Sequence, residues 1–314
     1  MSVQMIEKKV MSSDKKHMLY GRVYLPDEKA TAFFHVVHGM TEHIKRYDFL
    51  MRKMAENGYI CFGYDHLGHG ESVDSSDELG FIAHENGWDY LCLDVKVFSD
   101  AVRKEYGGNL PYYLMGHSMG SFIVRSTIEK YVSADKLIIM GTGGYNPFSG
   151  IGLFATRIVK KICGEKYISK TIDKMAFGSF NSHFEGDNEY CWLTKDENMQ
   201  KLYAADPLCT FKFSVSAMED LIKLNRFCNR SAWFKNIPKN MPILMLSGKD
   251  DPVGDYGRGV GKVYERLIKN GANVRIKLYE NCRHEILNDT CRAEVVRDIK
   301  SFLKTENRCS DSAE

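Results

Sequence analysis

A serine held between glycines at the end of an apolar run is what an activated nucleophile needs, and Gly116-His117-Ser118-Met119-Gly120 supplies it. The run Tyr112-Tyr113-Leu114-Met115 leads in, and a helical pattern starting near Ser121 leads out. At a sharp strand-to-helix turn the serine hydroxyl is exposed on strained backbone, and the helix N-terminus behind it adds positive partial charge where an oxyanion develops. The duller reading is a serine N-cap on an ordinary turn. Two further residues weigh against it. His284, in Asn281-Cys282-Arg283-His284-Glu285, follows another apolar run and is placed to take the hydroxyl proton. Asp251, in Ser247-Gly248-Lys249-Asp250-Asp251-Pro252-Val253, follows a third and is placed to fix the imidazole tautomer. Asp250 competes for that role; Asp251 is preferred because it abuts Pro252 and sits three residues after Gly248. The expected catalytic set is Ser118, Asp251 and His284, acting through a covalent intermediate on the serine.

Those residues need a scaffold that brings three loops to one edge. Lys8 to Met11 and Met18 to Leu25 read as antiparallel strands around a polar turn. Strand and helix patterns then alternate. Strands are expected at Thr31–Val37, Tyr59–Tyr64, Tyr112–Met115, Lys136–Met140, Pro242–Ser247 and Val274–Tyr279. Helices are expected at Phe49–Asn57, Trp88–Tyr106, Phe122–Tyr131, Gly257–Asn270 and Cys291–Lys304. This alternation predicts an α/β fold, a mostly parallel central sheet with helices on both faces. From about Gly144 to Phe234 the strand signal disappears and apolar residues recur at helical spacing; Leu153, Ile158 and Ile162 are expected to share one face, Met218, Leu221, Ile222 and Asn225 another. The expected division is a core of 1–143 and 235–305, a helical cap of 144–234 and a flexible tail of 306–314. Two backbone donors at the strand edge are expected to form the oxyanion hole: the N–H of Met119, after the nucleophile, and that of Met40, in the loop after the third strand.

The remaining chemistry-bearing residues point elsewhere or nowhere. His38, His43, His66 and His69 invite a zinc reading, but no H-E-x-x-H and no recurring acidic or cysteine partner accompanies them, so no metal is expected. The nine cysteines are odd in number and scattered, with no Cys-x-x-Cys pair; they read as reduced thiols. The 314 residues carry a net charge of +2 with no basic stripe, which argues against nucleic acid as a partner. No segment has signal-peptide character or approaches the ~20 apolar residues that span a bilayer, so a soluble cytoplasmic protein is expected.

Taken in order, four blocks resemble the monoacylglycerol lipase and lysophospholipase branch of the α/β-hydrolases, which includes serine aminopeptidase-like members. They are His38-Gly39-Met40-Thr41-Glu42-His43, Asp65-His66-Leu67-Gly68-His69-Gly70-Glu71-Ser72, Gly116 to Ser121, and Asp251-Pro252-Val253. Trp192-Leu193-Thr194 through Tyr203-Ala204-Ala205-Asp206-Pro207-Leu208-Cys209 is similar to bacterial members called lysophospholipases. Ser121 stands where many relatives have a second glycine. The resemblance implies the α/β-hydrolase fold and hydrolysis of small-molecule acyl esters, monoacylglycerol or lysophospholipid in type, without a cofactor. The cap phenylalanines Phe148, Phe154, Phe177, Phe180, Phe184, Phe211 and Phe213 offer an acyl tunnel, with Phe177, Phe180 and Phe211 the expected substrate-binding residues; packing of cap on core is the plainer reading. Such a cap leaves room for transient contact with membrane lipid. Two rivals stand beside this reading: an amidase or peptidase, with Glu185, Asp187 or Glu189 holding a substrate ammonium, and a fold retained only to bind a ligand.

Overall fold

A computed structural model describes residues 3–185 and 188–305; the expected tail and Asp187 lie outside the described residues. The chain opens with the antiparallel pair β1 (Gln4–Met11) and β2 (Met18–Leu25), Met11 facing Met18 across the turn. Six strands follow: β3 (Ala32–Val37), β4 (Tyr59–Tyr64), β5 (Tyr112–His117), β6 (Lys136–Met140), β7 (Ile243–Gly248) and β8 (Val274–Tyr279). Among the described residues they form one sheet of eight strands in the order β1-β2-β4-β3-β5-β6-β7-β8, parallel from β4 onward. This is the α/β-hydrolase architecture that the resemblance implies.

Burial on both faces follows from the residue types. Strands β3, β4, β6 and β7 are buried at every position, as β-branched, aromatic and aliphatic runs without alternation require. Successive side chains point to opposite faces, so Phe33 and Val37 of β3 join one core and Phe34 and Val36 the other. The first core is closed by α2 (Gly87–Tyr106), α3 (Met119–Lys130) and α9 (Arg258–Lys269) through Val95, Phe98, Ile123 and Leu267. The second is closed by α1 (Asp48–Ala55) and α10 (Arg292–Lys304) through Met51, Met54, Ile299 and Phe302. Each fully buried side chain of this size contributes about 1.5–3 kcal/mol.

The order of strands creates the site. From β3 the chain steps outward to β4, then crosses back to place β5 on the other side of β3. Loops leaving β3 and β5 therefore diverge, and a crevice opens at their carboxyl ends. Between β6 and β7 no strand forms among the described residues. The chain instead makes α4 (Ser149–Cys163), α5 (Lys170–Phe177), α6 (Glu197–Ala205), α7 (Val215–Cys228) and α8 (Ser231–Asn236). Side-chain caps start three of these helices: Ser169 for α5, Asp196 for α6 and Ser214 for α7 each accept first-turn N–H groups. Met218 and Leu224 seat α7 in the core shared with α2 and α3.

One expectation fails here. Leu153 does not share a face with Ile158 and Ile162. Those two join Ile151 and Phe154 in an exposed stripe along α4, where exposures run from 42% to 76%. At about 100° per residue, steps of five and nine residues turn Leu153 away from Ile158 and Ile162, so their spacing does not make one face. Cys282 and Cys291 lie side by side across the loop between β8 and α10, with Cα atoms 6.6 Å apart, near enough for a disulfide to form. Nine residues of separation carry no pairing signal, so only the folded loop reveals this nearness. Cys61, Cys92, Cys163, Cys191, Cys209 and Cys228 keep free thiols.

Candidate active site

Ser118 sits between the last residue of β5 and the first of α3, with φ 54° and ψ −120°. A non-glycine residue at positive φ is strained and needs a reason. Its N–H donates to the Met140 carbonyl (3.0 Å), and its own carbonyl accepts from the Ser121 N–H (2.9 Å) and Oγ (2.6 Å). The flanking glycines are steric requirements. A Cβ at Gly116 would lie 2.3 Å from the Gly120 oxygen, and one at Gly120 would lie 2.2 Å from the Val37 oxygen. Ser121 is fully buried and also donates to Thr142 Oγ1 (2.8 Å), so its hydroxyl knits the turn to the end of β6.

His284 and Asp251 arrive from the adjacent strands β8 and β7. His284 Nδ1 and Asp251 Oδ2 are 3.0 Å apart, both side chains almost wholly buried. The carboxylate also accepts from the Val253 N–H (2.8 Å) and the Ser247 hydroxyl (3.3 Å), which fix its plane. Asp250 points instead toward Lys195, 3.7 Å away, with its side chain 40% exposed. Gly248 lets the two loops meet: a Cβ there would lie 2.1 Å from the Arg283 oxygen, and the Asp250 N–H donates to the Cys282 carbonyl (3.0 Å).

Met40 and Met119 both line the cavity beside Ser118 and His284. Met119 is the first residue of α3, where N–H groups lack intrahelical partners. Behind this edge lies a buried charged network that spacing did not reveal. Glu42 Oε1 accepts from the Gly39 N–H (2.6 Å) and the Tyr47 hydroxyl (2.8 Å) and lies 3.2 Å from His117 Nδ1. Arg46 bridges Glu42 (3.1 Å) to both oxygens of Glu285 (2.6 Å each). Burial opposes charge on Glu42, but His117 and Arg46 hold its carboxyl well below the usual range. Burial likewise opposes charge on His117, yet the bond to Glu42 raises its imidazole above the ordinary value. One network thus joins the loop after β3, the residue before Ser118 and the residue after His284. Glu42, His117 and Glu285 each stand in one of the motif blocks, but nothing in the sequence joins those blocks to one another or to Arg46.

The crevice holds a cavity of about 930 Å3. Phe177, Phe180 and Phe211 all line it, as do Phe148 and Phe213. Of the other cap phenylalanines, Phe154 is 68% exposed, and Phe184 lies under the Arg283 guanidinium at 4.3 Å. The face Met218, Leu221, Ile222 and Asn225 of α7 forms part of the wall. Of the three acidic residues that an ammonium would need, Glu189 lines the cavity, Glu185 is exposed, and Asp187 lies outside the described residues.

The histidines of the first two blocks serve the loops. His38 Nε2 accepts from the His66 N–H (3.0 Å), and His66 Nε2 reaches the His38 carbonyl (3.1 Å). Burial pushes His66 down to about 3 and His69 to about 4, so both are neutral. His43 Nε2 meets Asp206 at 2.9 Å and ties the inserted helices to the loop after β3. Among the described residues two groups are close enough to share a cation, His43 with Asp206 and Cys209, and His17 with Asp74 and Glu78. In the first, the Arg46 charge already bears on Cys209. No helix of the described residues is long and apolar enough to cross a membrane.

With this geometry in place, likeness to known proteins can be weighed. The family model for serine aminopeptidase, S33, matches residues 28–291. The monoglyceride lipase of Homo sapiens is 26% identical over 270 residues, covering 85% of this chain and 79% of that one. A monoglyceride lipase homolog of Monkeypox virus is 23% identical over 294 residues, covering 91% and 94%. In structure the chain is similar to a highly thermostable carboxyl esterase from Bacillus coagulans in complex with glycerol. The TM-score is 0.90 at 28% identity, covering 96% of this chain and 98% of that one.

Proposed function

From the premise that this chain belongs to the serine aminopeptidase S33 family of α/β-hydrolases and is an ester-hydrolysing enzyme of that type, we propose that it cleaves carboxylic esters of acyl chains, monoacylglycerol- or lysophospholipid-like, through an acyl-enzyme on Ser118. The observation that carries this reading is the buried 3.0 Å contact between Asp251 and His284, on the wall of an apolar cavity that Ser118 also lines.

The proposed steps are those of a serine esterase. Ser118 Oγ attacks the ester carbonyl carbon as His284 takes its proton. Asp251 holds the imidazole tautomer and offsets the charge it gains. The N–H groups of Met40 and Met119 receive the oxyanion, an interaction worth several kcal/mol where water is excluded. Collapse expels the alcohol, protonated by His284, and water releases the acid by the reverse path. The helices between β6 and β7 act as a cap, with Phe177, Phe180 and Phe211 against the acyl chain. The exposed stripe Ile151, Phe154, Ile158 and Ile162 on α4 supports transient contact of that cap with membrane lipid.

Fluorophosphonate labelling of Ser118, alongside hydrolysis of esters of graded acyl length and of aminoacyl amides, tests the proposal. Labelling with esters turned over in preference to amides is expected. Faster turnover of amides would favour the peptidase reading, in which Glu189 holds the ammonium. Absence of labelling would leave only a ligand-binding fold.

A further inference from the structure

We infer that Trp192 of the cap is a positioning residue for the base: its indole face holds the His284 ring and stabilises the imidazolium formed during catalysis. The inference rests on the ester-hydrolase reading above, with His284 as base.

The two ring centroids are 5.2 Å apart with planes 35° from parallel. A cation that close to an indole face is attracted by the ring quadrupole, and the effect grows when water is excluded. His284 is almost wholly buried. The contact is braced by the backbone on both sides. The His284 N–H donates to the Trp192 carbonyl at 3.5 Å and the Glu285 N–H to the Leu193 carbonyl at 2.7 Å. Arg283 Nη1 reaches the carbonyls of Cys191 (2.5 Å) and Thr194 (3.2 Å), and the Thr194 hydroxyl donates to the Asn288 carbonyl (2.8 Å). Cap residues 191–194 are thus stitched to the loop that carries the base, and the indole has little freedom to leave it.

Among the charged groups around His284, Asp251 also favours the imidazolium, at the ring edge and not its face, and the others do not. Asp251, from the β7 loop, accepts at Nδ1. His117, from the nucleophile turn, stacks at 4.8 Å with its Nε2 3.2 Å from the His284 carbonyl, and Glu42 favours its charged form. A charged His117 opposes a second imidazolium beside it, so the neutral indole face is the favourable ring neighbour. Glu285 is held by Arg46, and Asp289 accepts from the Arg283 N–H on the same loop. Trp192 also meets Phe180 edge-on at 5.0 Å, and Phe180 meets Phe177 at 5.6 Å. The base is therefore in packing contact with the wall of the cavity.

The test uses a short acetyl ester, which does not reach the acyl end of the cavity. Trp192→Leu should lower kcat about tenfold, or ~1.4 kcal/mol, with KM within about twofold. Its kcat/KM should gain activity at lower pH, by about half a unit, because a less stabilised imidazolium loses its proton sooner. Trp192→Phe, which keeps an aromatic face, should recover part of both effects. A second measurement needs no change at Trp192. An imidazolium beside indole quenches its emission, so fluorescence of the unaltered protein should rise with pH along the acid limb of kcat/KM, and His284→Ala should abolish that rise. Trp88 and Trp233 pack against Phe227 and Phe234 instead. Unchanged acetyl-ester kinetics in Trp192→Leu, or a fluorescence step that survives His284→Ala, would overturn the inference. Failure of the unaltered protein to react with fluorophosphonate would sink the catalytic reading beneath it instead.

Discussion

Three short stretches of sequence named Ser118, Asp251 and His284, because a nucleophile turn, an acid before proline and a histidine after a strand each leave a local mark. The choice between Asp250 and Asp251 was harder to read, since adjacent carboxylates look alike in sequence. In the fold Asp251 is fully buried and bonded to Val253, Ser247 and His284, whereas Asp250 faces Lys195. Ser118→Ala and His284→Ala should each lower kcat by roughly four to six orders of magnitude, because such residues act as a unit. Asp251→Asn should lose somewhat less, and Asp250→Asn should stay near normal. Steady-state kinetics on one ester decides this; a crippled Asp250→Asn beside a healthy Asp251→Asn would reverse the assignment. That Glu42, Arg46, His117 and Glu285 form one network, and that Trp192 meets His284, was not legible. Their partners lie far apart along the chain, and no short motif records which loops will touch.

At the level of elements, β4 and β6, buried on both faces, begin and end where the apolar runs do, and so does the partly exposed edge strand β8. Strand β1 is longer than its apolar signal, starting at Gln4 rather than Lys8, because an edge strand with one wet face shows no continuous run. Contacts between elements were illegible for the same reason as the buried network. Asp220, on α7, accepts the Trp88 N–H in the first turn of α2 and so joins the cap to the core. An anion suits a helix N-terminus, but burial outweighs this and lifts the carboxyl to about 7. The folded protein therefore holds this proton more tightly than the unfolded chain. That contribution to stability is complete below about pH 4 and is lost as pH rises through about 7. Asp220→Asn, which keeps the acceptor and never ionises, should raise Tm by about 2–6 °C at pH 8 and by almost nothing at pH 4. Thermal melts at the two values check it, and an equal shift at both would mean that Asp220 is not buried as a proton-holding acid.

The molecule as a whole places an apolar cavity behind the catalytic edge and an apolar stripe on the outside of the same cap. Lys160 and Lys161 lie in the last turn of α4, next to that stripe. Apolar contact reinforced by basic residues favours anionic lipid, so the protein should co-sediment with vesicles containing phosphatidylserine, and Phe154→Ser with Ile158→Ser should weaken this. Equal recovery of both forms in the supernatant would remove lipid contact from the proposal. Inside, the cavity makes a sharper prediction. An acyl chain entering it gains about 0.8 kcal/mol per buried methylene, and 1.4 kcal/mol is a factor of ten. Each added CH2 should then raise kcat/KM by up to about fourfold until the cavity is full. Phe177 and Phe211 line its wall and the ring neighbours of His284 are His117 and Trp192 instead, so Phe177→Ala or Phe211→Ala should shift the preferred length while sparing an acetyl ester. Trp192→Leu should do the reverse and slow acetyl and long-chain esters together. An ester series flat in chain length would reject acyl binding in the cavity. Wall mutants that impair acetyl esters as much as Trp192→Leu would mean that the cap acts as one support for the catalytic edge and does not measure the substrate.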